Sequence, residues 1–182
     1  APHSDIDLLF LTQNPISDDA AGAVEALLYV LWDAGFKVGQ AVRSMSQCMT
    51  EANDDVRTLT SMIENRLITG DVGLAARLDD KIKQLLRGGR SRRFTDEKMA
   101  ERRNRYMQPG NSRYALEPHV KEGIGGLRDL HTLYWITQAR FDGTGAALLH
   151  EQGLLTAGQA ERMRTAETFF WTVRFHLHLL TG

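Results

Sequence analysis

The sequence predicts an α+β fold that is predominantly helical, with a small partial mixed sheet first and a helical domain after it. Three observations carry this. Residues 6–11 and 36–42 have strand patterning and lie either side of one helical stripe. Beyond Ser46 strand signals nearly vanish, and apolar residues recur at spacings of three and four. With 42% hydrophobic and 25% charged residues, the 182-residue chain has the composition of a globular protein able to bury a core without disulfides.

The first strand, 6–11, is preceded by Asp5 and contains Asp7. Side chains alternate along a strand, so these two aspartates project from one side while Ile6 enters the core. Pro15-Ile16-Ser17-Asp18 reads as a turn and helix cap. Val24, Leu27, Leu28 and Leu31 then form one helical stripe ending near Gly35, and the alternating stretch 36–42 suits a second strand.

The helical part follows. Val56, Leu59, Ile63 and Leu67 predict a helix over 54–67, with Gly70-Asp71 as punctuation. Leu74, Leu78, Ile82, Leu85 and Leu86 mark the next, up to Gly88-Gly89. Thr95 is the expected cap of a helix running to about Met107, broken by Pro109-Gly110-Asn111. Residues 114–120 look extended, and Lys121-Glu122-Gly123-Ile124-Gly125-Gly126 is a glycine-rich turn. A helix with Leu127, Leu130, Tyr134 and Phe141 roughly on one side comes next. In the last helix Met163, Ala166, Phe170, Val173, Leu177 and Leu180 form a stripe expected to be core.

Composition narrows the function classes. A formal net charge of -1 gives no global field for nucleic acid or an acidic membrane, so neither is expected as a partner. No stretch approaches the length of a membrane span, and no signal segment opens the chain. The single cysteine, Cys48, excludes an internal disulfide and a cysteine-based zinc site, and a cytoplasmic location is the simplest setting. One local run is basic: Arg87, Arg90, Arg92, Arg93, Lys98, Arg102, Arg103 and Arg105 face only Asp96, Glu97 and Glu101. It is either a solvated helix face with ion pairs four residues apart, or a surface for phosphates or an acidic partner.

Chemistry concentrates in few places. Asp5 and Asp7 offer two hard carboxylates side by side, a donor set suited to Mg²⁺, which binds few carboxylates and keeps positions for water and phosphate oxygens. A metal there would polarise a phosphoryl group and orient an incoming hydroxyl. The plainer alternative is a pair of solvated acids and turn chemistry ahead of a buried strand. Gly123, Gly125 and Gly126 before a helix are either a phosphate cradle or a tight connection that needs glycine. Lys121, Arg128 and Asp129 would hold that turn by ion pairs as readily as touch a ligand. His176 and His178 lie about 200° apart on a helix and share no metal, and His131 reads as packed. Cys48 has no companion that would activate it. Glu64 and Arg66, two apart on the expected helix, face different sides.

Ser4-Asp5-Ile6-Asp7-Leu8-Leu9 resembles the paired-acid strand of the nucleotidyltransferase fold. Glu117-Pro118-His119-Val120-Lys121-Glu122-Gly123-Ile124-Gly125-Gly126-Leu127-Arg128-Asp129-Leu130 is similar to the signature of the bacterial PII uridylyltransferase/uridylyl-removing family. Trp171-Thr172-Val173-Arg174-Phe175-His176-Leu177-His178 looks like that family's following helix. The resemblance implies a bifunctional sensor of nitrogen status. Such an enzyme moves UMP from UTP to a tyrosine of the PII signal protein with Mg²⁺, removes it through an HD-type hydrolase domain, and senses glutamine through ACT domains. By that match Asp5 and Asp7 are the catalytic, metal-binding acids. Residues 1–70 would be the C-terminal part of the nucleotidyltransferase domain, and 71–182 the adjoining helical domain.

The family's triphosphate-binding glycine loop is expected before Asp5, and its hydrolase and sensor domains after Gly182, so the chain is expected to be a fragment. His119 stands where the family is expected to carry asparagine, and Glu64-x-Arg66 resembles an acid-x-Arg pattern in relatives. Two other functions remain open at this point: nucleotidyl transfer to a different acceptor, and a non-catalytic helical module docking a partner through 87–105.

Overall fold

The computed structural model describes residues 4–108 and 119–181. The Pro109-Gly110-Asn111 break and most of the expected extended stretch 114–120 lie outside them. The chain divides into two compact units, one up to Ile82 and one from Lys83 to Thr181.

The first unit begins with strand β1 (Ile6–Thr12), helix α1 (Asp18–Asp33) and strand β2 (Val38–Ser44). The strands pair in parallel, Ile6 opposite Val38 and Thr12 opposite Ser44. A parallel pair needs a crossover, and α1 supplies it. Ser17 caps α1 as expected, its hydroxyl accepting from the Ala20 N–H at 3.3 Å. Gly35, at φ +83°, turns the chain out of the helix, a conformation that glycine adopts without penalty. The first strand–helix–strand unit is therefore where the sequence puts it.

Helix α2 (Met45–Asp54) occupies a stretch to which the apolar periodicity assigns nothing. A reciprocal cap forms it: the Ser44 hydroxyl accepts from the Gln47 N–H, and the Gln47 side chain accepts from the Ser44 N–H at 2.8 Å. Its Cys48 and Ala52 are fully buried. The helix expected over 54–67 is shorter, as α3 (Val56–Ile63): Asp55 is extended and caps it through the Thr58 N–H at 2.7 Å. Residues 64–71 carry no helix, so Leu67 is exposed instead of completing the stripe. Leu59, Met62, Ile63, Leu78 and Ile82 are core, the last two from α4 (Val72–Leu85).

In the second unit a kinked connection, Leu86–Arg90, follows α4, with Gly89 at φ +98°. Helix α5 (Ser91–Tyr106) then begins earlier than Thr95. Thr95 does not cap it; its hydroxyl donates to the Ser91 carbonyl inside the helix at 2.9 Å. Phe94 on α5 and Leu127 on α6 (Leu127–Phe141) are fully buried. The buried face of α6 runs through Leu127, Thr132, Trp135 and Ala139, whereas Phe141 is exposed. Asp142, in the left-handed region at φ +55°, ends the helix.

Helices α7 (Ala146–Glu151) and α8 (Ala157–Thr181) complete the unit. The Tyr134 hydroxyl donates to Glu167 at 2.6 Å and ties α6 to the first half of α8. The stripe expected to be core is not: no residue of α8 is buried, and Leu177 and Leu180 are 42% and 83% exposed. Phe169, Phe175 and Leu179 are exposed beside them. No helix among the described residues is long and apolar enough to cross a membrane.

Candidate functional site

Strand β1 starts where the Ile6 N–H donates to the Lys37 carbonyl at 2.9 Å. Asp5 stands just ahead of the ladder, and Asp7 is the second residue within it, opposite Gly39. Both aspartates are exposed and Ile6 between them is half-buried, the alternation that an extended backbone dictates. A methyl group on Gly39 would lie 2.7 Å from Asp7 Oδ1, so the carboxylate lies across the space that a side chain there would fill. Neither aspartate is engaged in an ion pair among the described residues.

Two unengaged carboxylates on one edge of a strand fit a hard divalent cation that takes its other ligands from water and phosphate. Among the described residues no group of three or more acidic, histidine or cysteine side chains adds a further ligand set. Gly39 is the residue of this corner that sequence reasoning misses. A glycine interrupting an alternating strand is its signal. The opposite face of the pair is different. There Gln40 and Val42, with Val24, Leu28, Tyr29 and Trp32 of α1, line an open groove of about 320 Å³. Strand alternation turns that groove away from Asp7.

The glycine turn is a tight connection and not an anion cradle. The N–H groups that would bind a phosphate are taken: Gly123 donates to the His119 carbonyl at 2.8 Å, Gly126 to Gly123 at 2.9 Å, Leu127 to Val120 at 3.0 Å and Arg128 to Lys121 at 2.8 Å. A Cβ on Gly123 or Gly126 would come within 2.6 Å of a backbone carbonyl oxygen. Gly125 has φ +80°. The His119 ring supplies a further acceptor, Nδ1, to the N–H groups of Lys121 and Glu122 at 3.2 and 3.0 Å. This is the task that an asparagine oxygen performs in an Asx turn.

Asp129 holds this turn to α5. It accepts from the Gly125 N–H at 2.8 Å, from Arg102 at 3.3 Å, and from Arg105 and the Tyr106 hydroxyl. Burial alone would raise its carboxyl, but hydrogen bonds from Tyr106 and Gly125 and the charges of Arg105 and Arg102 outweigh it and hold the group below the usual carboxylate range. Glu122 behaves likewise: against burial, Arg128 at 3.0 Å, with Lys121 and Arg105, keeps it ionised to lower pH than usual. Burial, reinforced by the hydrogen bond to Asp129, pushes the Tyr106 hydroxyl up, so it stays a donor.

The basic run 87–105 is largely spent within its own unit. Arg90 is buried against Glu97 at 2.8 Å, Arg93 meets the same carboxylate, and Lys98 pairs with Glu101 while lying 4.3 Å from the centre of the Trp135 ring. Arg102 and Arg105 serve Asp129. His131 packs between the rings of Trp135 and Trp171, at 5.8 and 5.9 Å. Glu64 and Arg66 are exposed and lie past the end of α3, so they do not sit on two sides of a helix. Cys48 is buried, and that burial raises its thiol.

Residues 93–182 match the family model described as GlnD PII-uridylyltransferase. The whole chain aligns with curated proteins named bifunctional uridylyltransferase/uridylyl-removing enzyme, at 44% identity in Cereibacter sphaeroides and 42% in Novosphingobium aromaticivorans, covering 20% of each. The relative from Rhodospirillum rubrum is 43% identical over 99% of this chain and 19% of its own length. The chain thus spans about a fifth of the length of the curated relatives it matches. No solved structure matches it. The acid pair lies outside the family-model match but inside the alignments that run along this whole chain, and the chain matches a segment of the bifunctional uridylyltransferase/uridylyl-removing enzymes.

Proposed function

We propose that this chain carries the acidic edge and adjoining helical unit of an enzyme that transfers UMP from UTP to a tyrosine of the PII signal protein. The observation that carries the reading is the exposed, unengaged pair Asp5 and Asp7 at the start of a parallel strand, in a chain whose relatives are named for uridylyl transfer. Asp5 and Asp7 would hold Mg²⁺, which when bound supplies neutralising charge to the triphosphate. The protein's own part is positioning: β1 fixes both carboxylates on one side, and Gly39 leaves the space that Asp7 uses. On this reading residues 1–70 are the C-terminal part of the catalytic domain and 71–182 the helical domain that follows it in the chain. Removal of UMP and response to glutamine belong to parts of the enzyme outside these residues, and the setting is cytoplasmic.

Docking of a partner through 87–105 is less well supported, because most of those cations already have acidic or aromatic partners. The test uses the full natural chain. Labelled UMP is followed from Mg·UTP to a PII protein, beside an Asp5→Asn/Asp7→Asn variant. Labelling by the parent and none by the variant is expected. No labelling by the parent, without glutamine and with PII loaded with its effectors, would overturn the assignment in favour of another acceptor.

A further inference from the structure

We propose that Gly39 is a positioning residue for the Asp7 carboxylate, an inference that rests on the reading of Asp5 and Asp7 just given. Gly39 lies directly opposite Asp7 in the parallel register. Parallel neighbours on one face compete for the same volume, and here Asp7 Oδ1 occupies it, 2.7 Å from where the Cβ of any other residue would sit. The next nearest atoms to that point, Asp7 Cγ and the Ile6 carbonyl oxygen, are 3.9 and 4.0 Å away, an ordinary contact. A methyl group at position 39 would therefore press on one atom, and that atom is a proposed metal ligand. Gly39 is exposed and has no positive φ, so neither a turn nor backbone strain requires glycine here. What its missing side chain provides is the direction in which the Asp7 carboxylate lies, and so the disposition of its oxygens toward Asp5.

The consequence separates folding from ligand binding. Gly39→Ala costs the strand nothing, because alanine restricts the unfolded chain more than glycine does. It does turn the carboxylate away from its place. In the full natural chain we would measure Mn²⁺ binding by electron paramagnetic resonance, counting the equivalents that Asp7→Ala removes, together with thermal melting. Gly39→Ala is expected to melt at or above the parent's temperature, yet to bind those equivalents about tenfold more weakly. In an Asp7→Ala background, adding Gly39→Ala should change Mn²⁺ binding no further. Parent-like Mn²⁺ binding by Gly39→Ala, with binding lost in Asp7→Ala, overturns the inference and leaves the acid pair standing. Parent-like binding by Asp7→Ala overturns the acid-pair reading and this inference with it. A Gly39→Ala protein that melts far below the parent overturns the premise that only the carboxylate has to move.

Discussion

The Tyr106 hydroxyl, in the last turn of α5, donates to Oδ2 of Asp129 in the first turn of α6, while Arg102 and Arg105 take the other oxygen. One carboxylate of α6 thus holds side chains of the second half of α5 and receives the Gly125 N–H of the turn before its own helix. Asp129→Asn keeps the shape but leaves two guanidinium groups without their counter-charge. Loss of a half-buried partner of this kind should cost about 3 kcal/mol. Tyr106→Phe, which removes one charge-assisted hydrogen bond, should cost about 1.5 kcal/mol. Urea unfolding of the two variants, followed by helical circular dichroism, checks both size and order.

The same residues set an acid limit. Asp129 and Glu122 titrate lower in the folded chain than when unfolded. Their contribution is therefore complete above the unfolded carboxylate range, about pH 4 to 4.5. It is lost as pH falls through the depressed folded values. Stability measured from pH 6 downward should fall more steeply in the parent than in Asp129→Asn below about pH 4.5. Parallel slopes would show that the carboxylate is not depressed.

Two glycines make opposite predictions. Gly126→Ala would press a Cβ to 2.6 Å from the Val120 carbonyl oxygen and 3.0 Å from that of Gly123, backbone atoms with little room to move. A loss of about 2 kcal/mol or more is expected. Gly22, inside α1, has nothing within 4 Å of the point where a methyl group would sit, and Gly22→Ala should stabilise by up to about 1 kcal/mol. Chemical denaturation of both variants tests the contrast.

Asp7→Asn should leave melting nearly unchanged, since the side chain is exposed and unpaired among the described residues. UMP transfer by the full natural chain should nevertheless fall by several orders of magnitude, on the order of 4 kcal/mol or more in the barrier. The pairing of a melting curve with a transfer assay on one preparation decides it.

How legible the molecule was in its sequence follows from the range of the interactions. Strand alternation and the α1 stripe are local, and β1, α1 and β2 lie within two residues of their expected ends. Helix α2 has no apolar stripe to announce it, and sequence reasoning misses it; its one local signal is Ser44-x-x-Gln47, a capping signature. The glycine turn was readable as a turn, but its hydrogen bonds to preceding carbonyls were needed to decide against an anion cradle. The Arg105–Asp129 pair joins distant stretches, and no spacing rule predicts such a contact. Apolar spacing likewise found the stripe on α8, but the expectation that it is core fails, because spacing does not tell whether anything covers a helix face. At the candidate site Asp5 and Asp7 stood out by residue type, whereas Gly39 acquires meaning only once the register sets it against Asp7.

Helix α8 has a calorimetric consequence. The heat-capacity increment of unfolding reports apolar surface newly wetted, roughly 12–15 cal/mol/K for each residue of an ordinary domain. Twenty-five residues that form a helix with no fully buried side chain add length while leaving less apolar surface to wet than a core helix of that length would. The thermogram of this chain should therefore show a heat-capacity step smaller than its residue number implies, and a stability curve correspondingly flat with temperature.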